Sequence, residues 1–251
     1  MFYDNYLRKR AVSFDICKFP FIDITNIFSS IIIIPSYYEY NYIAKTLDSI
    51  EKQINFDLTC LLVIVVINNS SNASKEILKN NSQTIKLIQN FNSSYTLEYI
   101  DASKGANALS NNLAGVGYAR KIGMDFALKY SKEDSIIHCL DADTIVSKDY
   151  LADIAAAYQE NKIKALIVDF EHQKNNDADL NENIQNYESF LKKTATDIDD
   201  AGSPYGYVSL GPTITCLAST YVKIGGMVNK KATEDFYFLQ QIRKFTDIYF
   251  L

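Results

Sequence analysis

The sequence predicts an α/β fold: a mostly parallel sheet covered by helices on both faces. Three observations predict it. Short, mostly apolar runs recur from residue 30 to about residue 171, as in "IIII", "LLVIVVI" and "SIIHCL". Segments with apolar residues at helical spacing separate them. The runs also end abruptly on proline, asparagine or aspartate. A strand buried on both faces has no polar side to show, so it reads as a continuous apolar run. Strands alternating with helices build a parallel sheet with its crossovers on the two faces.

The elements follow in order. The first 27 residues lack clear periodicity and read as an amino-terminal extension to a domain spanning 28–251. In "SSIIIIPSYYEY" the strand Ile31–Ile34 stops at Pro35, which cannot continue a central ladder. "NYIAKTLDSIEKQ" places Ile43, Leu47 and Ile50 on one helical face. "LTCLLVIVVINNSS" is a second buried strand that ends in turn formers. A short helix is expected at "SKEILKN", then weaker strands at "TIKLIQ" and "TLEYI". "AGVGYARKIGMDFALKY" reads as a helix with a glycine-rich start, and "SIIHCL" as the strand that leads into "DADT". "KDYLADIAAAYQEN" is a helix and "KALIVDFEH" a strand. From about Asn175 to Tyr207 the chain turns polar with a helical middle, an excursion from the sheet. Apolar alternation returns in "SLGPTITCLASTYVKIGGM", and "ATEDFYFLQQIRKF" is a helix with Thr233 as its N-cap. Residues 28–145 form one half of the domain and 146–251 the other, which stops at Leu251 at the start of another strand and is expected to be incomplete.

Composition excludes some functions. The chain has 251 residues, 47% hydrophobic and 22% charged, enough to bury a sizeable core. A net charge of −5 with no basic stripe argues against nucleic-acid binding. Cys17, Cys60, Cys139 and Cys216 form no CxxC pair and read as free thiols in a reducing compartment. No apolar leader is present, and no run reaches the ~18 residues a membrane span needs. The cytoplasm is the default location, with peripheral membrane association left open.

In open parallel sheets, ligands bind at the carboxyl ends of the strands. Three strand ends carry chemistry: Pro35, Tyr37 and Glu39 after the first, Asn68, Asn69 and Ser70 after the second, Asp141 and Asp143 after the third. Two aspartates at i and i+2 repel each other, and a hard divalent cation between them relieves that repulsion. The alternative is a solvated Asx turn capping the helix near Lys148. Tyr37 invites stacking on a nucleobase. Lys104, Arg120 and Lys121 are phosphate partners by charge alone. Glu234 and Asp235 suit either a helix start or a general base. His138 and His172 sit in strand-like runs and read as structural.

Taken in order, "IIIIPSYYEYNYIAKTLDSI", "VVINNSSN", "GVGYARKIG", "LDADT", "YVKIGGM" and "ATEDFYFLQQIRK" resemble the family 2 glycosyltransferases over roughly residues 30 to 245. The resemblance implies the Rossmann-like GT-A fold of nucleotide-diphospho-sugar transferases, with an acceptor-side subregion. It implies inverting, metal-dependent sugar transfer to a glycan or lipid-linked acceptor in cell-surface glycan synthesis. The donor would be UDP-, GDP- or dTDP-linked, and the cation Mn²⁺ or Mg²⁺. By the same resemblance Tyr37, Glu39 and Asn68 lie at the nucleoside and Arg120 near the nucleotide. Asp141 lies at ribose and metal, and Asp143 ligates the metal. Asp235 is the catalytic base, with Glu234 beside it at the acceptor. The chain departs from the pattern at Asn68, where an aspartate is usual. It also lacks a Q-x-x-R-W segment and following membrane helices, against a processive synthase.

Two rivals stand beside this reading. "DADT" also resembles the nucleophile motif of haloacid-dehalogenase-type phosphatases, with Lys192 or Lys193 and Asp199–Asp200 as its remaining parts. A non-catalytic transferase homologue that binds nucleotide or glycan is the other.

Overall fold

The structure, a computed structural model, describes residues 2–12, 26–104, 108–174, 176–228, 230 and 233–251. Strands β1 (Ser30–Ser36), β2 (Leu61–Asn68), β3 (Thr96–Ala102), β4 (Ile136–Cys139), β5 (Ala165–Ile167), β6 (Ile214–Leu217) and β7 (Tyr249–Phe250) form one sheet in the order β3-β2-β1-β4-β6-β5-β7. β1 pairs in parallel with β2 and β4, and β2 with β3. β6 runs antiparallel to β4 and β5. The sheet is therefore mixed, with a parallel half that holds the amino-terminal strands. Ile31–Ile34 and Leu61–Ile67 have zero exposure. Each such side chain contributes ~1.5–3 kcal/mol from burial.

The helices cover both faces. α2 (Ile43–Glu51) and α5 (Tyr150–Asn161) pack with Ile32, Ile34 and Val65 on one side. α4 (Val116–Ala127), α7 (Ala218–Ile224) and α8 (Glu234–Phe245) pack with Ile31, Ile33 and Val66 on the other. The alternate residues of β1 thus feed two separate cores.

Several expectations need correction. "TIKLIQ" is not a strand: α3 runs unbroken over Lys75–Asn90. Ile85 and Ile88 are three apart and both buried, with Thr84 and Asn81 on the same face. That is a helical stripe, and burial under β2 and β3 decided between two readings that a short apolar run leaves open. "KALIVDFEH" is a strand only over Ala165–Ile167, because its partner β6 is equally short. His172 is accordingly outside the sheet. Cys60 lies in a turn before β2, and it is half-buried. Cys139 and Cys216 are buried, and burial pushes the Cys139 thiol up to about 11. Cys17 lies outside the described residues.

The amino terminus is more structured than its sequence predicts. α1 (Asp4–Lys9) docks through Tyr6, whose hydroxyl donates to Asp125 Oδ1 of α4 at 2.6 Å. Tyr221 of α7 donates to the same oxygen at 2.6 Å, and Lys121 pairs with Asp125 at 3.1 Å. Six residues are too few for a periodic pattern to show. α6 (Ala178–Asp200), the polar excursion, has no buried residue along its length. No helix among the described residues is long and apolar enough to cross a membrane.

Candidate functional site

The carboxyl ends of β1, β2 and β4 open into one cleft of about 430 Å³. Pro35, Tyr37 and Glu39 line it from β1, Asn68 and Asn69 from β2, and Asp141 and Asp143 from beyond β4. Ala114, Gly115 and Val116 close it with the start of α4. The cleft sits where the strand order leaves β1 in opposite directions, toward β2 and toward β4, which is where such sheets bind ligands. α4 begins at Gly115 without a side-chain cap, so the partial positive charge of its amino terminus is directed at the cleft.

Three carboxylates share this space. Burial, then the charges of Asp143 and Asp141, push the Glu39 carboxyl above its ordinary range. Asp141–Thr144 forms a turn in which the Thr144 amide donates to the Asp141 carbonyl at 3.1 Å. Asp143 is exposed and does not cap α5, whose N-cap is Asp149. No group of three His, Cys, Asp or Glu side chains among the described residues closes into a metal cage. One or two carboxylates are nonetheless the usual protein contribution to a Mg²⁺ or Mn²⁺ site that substrate phosphates complete, so the donor set fits a cation held jointly with a diphosphate.

Arg120 occupies a different place from that expected of a nucleotide contact. It is 3% exposed. Its Nη2 donates to Asp141 Oδ1 at 2.5 Å and its Nη1 to Glu234 Oε1 at 2.8 Å. Two glycines make the room. A Cβ on Gly211 would lie 2.2 Å from Arg120 Nη2, and one on Gly117 2.5 Å from Glu234 Cγ. Glu234 is thus buried against Arg120 rather than presented beside Asp235. Its carboxyl is raised by desolvation, against the lowering effect of Arg120. Asp235 is partly exposed, outside the residues that line the cleft, and accepts from the Phe236 amide at 2.7 Å. Thr233 does not cap α8 through its side chain. Its φ of 59° is left-handed, whereas a capping hydroxyl needs extended backbone. Lys104 is exposed and outside the cleft lining.

An asparagine network shapes the β1 side. Asn81 Nδ2 donates to Asn69 Oδ1 at 2.7 Å, and Asn81 Oδ1 accepts from the Tyr38 amide at 3.1 Å. Asn80 Oδ1 accepts from the Tyr40 amide at 3.2 Å. Tyr38 has a φ of 65°, a conformation that costs a non-glycine residue roughly 1–2 kcal/mol, and Glu76 holds its hydroxyl. Asn69 was singled out in the sequence at its strand end; Asn80 and Asn81 were not. The signal was there: two adjacent asparagines are poor choices for the middle of a helix unless they bond to something outside it. The parts a phosphatase would need, Lys192, Lys193, Asp199 and Asp200, all lie on α6 and none lines this cleft.

A family model described as "Glycosyl transferase family 2" matches residues 31–210. No curated protein sequence matched the chain. Among solved structures, S. aureus TarS 1-349 in complex with UDP-GlcNAc is similar, with a TM-score of 0.61 and 19% identity over 89% of this chain and 56% of that one. The mannosyltransferase PcManGT from Pyrobaculum calidifontis, in complex with GDP-Man and Mn²⁺, is similar at a TM-score of 0.56 and 14% identity, over 98% of this chain and 59% of that one. The chain thus spans less than two thirds of either structure's length.

Proposed function

The chain belongs to glycosyl transferase family 2 and has the GT-A fold, and on that premise we propose that it moves a sugar from a nucleotide-diphospho-sugar to an acceptor hydroxyl with inversion. The observation that carries the proposal is the convergence of Tyr37, Glu39, Asn68, Asp141 and Asp143 on one cleft beside an uncapped helix start. The solved relatives' complexes with UDP-GlcNAc and with GDP-Man and Mn²⁺ support a nucleotide-sugar donor and a divalent cation.

Each residue then has a task. Tyr37, half-exposed at the mouth, stacks on the base, and the Asn68 amide bonds its edge. The backbone at Gly115–Val116 binds diphosphate oxygens through the helix start. Asp143, with Asp141, would hold a cation, which would supply positive charge against the diphosphate leaving group. Arg120 fixes Asp141 and, through Glu234, the helix that carries Asp235. Asp235 takes the proton of the attacking hydroxyl as the new bond forms on the face opposite the diphosphate.

The test is a thermal-shift screen of UDP-, GDP- and dTDP-sugars with and without Mn²⁺. The expected outcome is a rise in melting temperature for one donor class that grows with Mn²⁺ and disappears in Asp143→Asn. If no nucleotide sugar stabilises the protein in either condition, the proposal fails.

A further inference from the structure

We propose that the amino-terminal helix α1 is a strut that sets where Asp235 stands, with Tyr6 and Asp125 as positioning residues for sugar transfer. The inference rests on the transferase reading of the cleft, in which Asp235 is the base. It starts from a buried polar cluster that the transfer step itself does not use. Asp125 of α4 is 4% exposed and is not among the residues that line the cleft. Its Oδ1 accepts from the hydroxyls of Tyr6 on α1 and Tyr221 on α7, both at 2.6 Å. Its Oδ2 accepts from the Val12 amide at 2.8 Å and pairs with Lys121 Nζ at 3.1 Å. Lys121 Nζ also donates to the Tyr6 hydroxyl at 3.0 Å. Burial, then the Asp125 charge, push both hydroxyls above the ordinary tyrosine range, so both stay protonated donors.

Two hydroxyls on one oxygen couple α1 to α7. With Tyr6 removed, Asp125 is free to turn, and Tyr221 must follow it or lose its partner. The Tyr221 ring centre lies 5.6 Å from that of Tyr6 and 6.1 Å from that of Phe238, and Tyr221 and Phe238 have zero exposure. Close-packed interiors transmit a displacement rather than absorb it. Phe238 lies one turn beyond Glu234 on α8, so the two share a face. α8 is thereby held on α4 at two points: Glu234 on Arg120, and Phe238 through Tyr221 on Asp125. A helix held at one point can pivot. Held at two, its rotation is fixed, and with it the direction of Asp235, the residue after Glu234.

The cluster is poorly suited to be a fastening alone. A buried ion pair contributes little net stability compared with apolar side chains of the same size, because both charges lose their hydration. What it provides is a single geometry. The chain also makes room for it: Gly226 has a φ of 81°, the left-handed backbone that suits glycine, and a Cβ there would overlap the Tyr6 hydroxyl. A six-residue helix has no stability by itself, so α1 is ordered by these contacts.

The test uses the intact 251-residue protein with Tyr6→Phe, Tyr6→Ala and, as a destabilised control away from the strut, Ile88→Ala on α3. Hydrogen exchange is followed by mass spectrometry. In Tyr6→Ala, exchange over Glu234–Phe245 is expected to quicken about tenfold or more, while Ser30–Ser36 and Leu61–Asn68 exchange as in wild type. Tyr6→Phe keeps the ring and loses one donor, so it should fall between, and it decides the matter if Tyr6→Ala folds poorly. Ile88→Ala should instead quicken strands and α8 alike. Activity is read as hydrolysis of UDP-glucose, GDP-mannose and dTDP-glucose with Mn²⁺, in which water gives its proton to Asp235 and takes the sugar from the diphosphate. The rate per nucleotide-binding molecule, a ratio insensitive to any unfolded fraction, should fall about tenfold in Tyr6→Ala and hold in Ile88→Ala, with nucleotide affinity unchanged in both. The inference is overturned if α8 exchanges as in wild type, if all elements quicken together, or if the rate per binding molecule is unchanged. A wild type that binds nucleotide yet hydrolyses none of these sugars overturns it as well. Absence of nucleotide binding in the wild type overturns the transferase reading, and with it the role of Asp235, whereas normal binding with unaltered α8 exchange removes the strut alone.

Discussion

Arg120 joins two carboxylates that lie 21 and 114 residues away in sequence, one on each half of the chain. Glu234 is 4% exposed, so the pair is buried on that side and desolvation weighs on both partners. Removing one partner leaves the other charged and unpaired. Arg120→Met is therefore expected to cost roughly 3–5 kcal/mol in urea unfolding, and the double variant with Glu234→Gln to recover part of it. An unchanged midpoint in the single variant would refute the brace. The sequence showed Arg120 as a cation in a glycine-rich helix start and nothing more. Its partners were invisible because only the packing of α8 onto α4, allowed by Gly117 and Gly211, brings them together. Tyr37, Glu39, Asn68, Asp141 and Asp143 were legible for the opposite reason: each follows directly on the end of a buried strand, and a parallel sheet sends those ends to one side.

α3 acts as a clamp on the loop after β1. Its Asn80 and Asn81 hold the Tyr38 and Tyr40 amides, so the helix sets where Tyr37 and Glu39 stand. Asn81 is fully buried, and Asn81→Leu leaves the Tyr38 amide and the Asn69 oxygen without partners. That loss is expected to cost ~1–3 kcal/mol of stability. It should also raise KM for the donor several-fold with a smaller change in kcat, as steady-state assays would show; equal KM values would contradict the clamp. The long, unbroken α3 escaped the sequence because "TIKLIQ" fits strand and helix equally over six residues. α6 was legible as a polar helical excursion, since a helix that buries nothing needs no periodic apolar face. The cavity of about 340 Å³ that α6 borders was not legible, because Phe170, Tyr207 and Phe250 in its wall come from three separate segments.

For the whole molecule, stability should depend on pH through His138. Burial alone holds it down, from 6.5 to about 3. The folded protein keeps the ring neutral, whereas the unfolded chain protonates it once pH falls below about 6.5. The contribution is fully present above that value and is lost as pH falls toward 3, at up to about 1.4 kcal/mol per pH unit. Between pH 7.5 and 5 the wild type should lose about 2 kcal/mol more than His138→Leu, measured by urea titration. Equal losses would show that the ring is hydrated or paired. By itself the sequence determined the parallel half of the sheet, the identity of its buried strands and the polar tips that meet in one cleft. Local chain properties suffice for these: apolar runs must be buried, and a parallel crossover returns every strand in the same direction. Tertiary structure alone decided the antiparallel insertion of β6 beside β4, the buried Arg120 pairings and the grip of Asn80 and Asn81 on the loop after β1. Those depend on contacts between segments far apart in sequence, and nothing in a local pattern of residues encodes which distant surface will cover it.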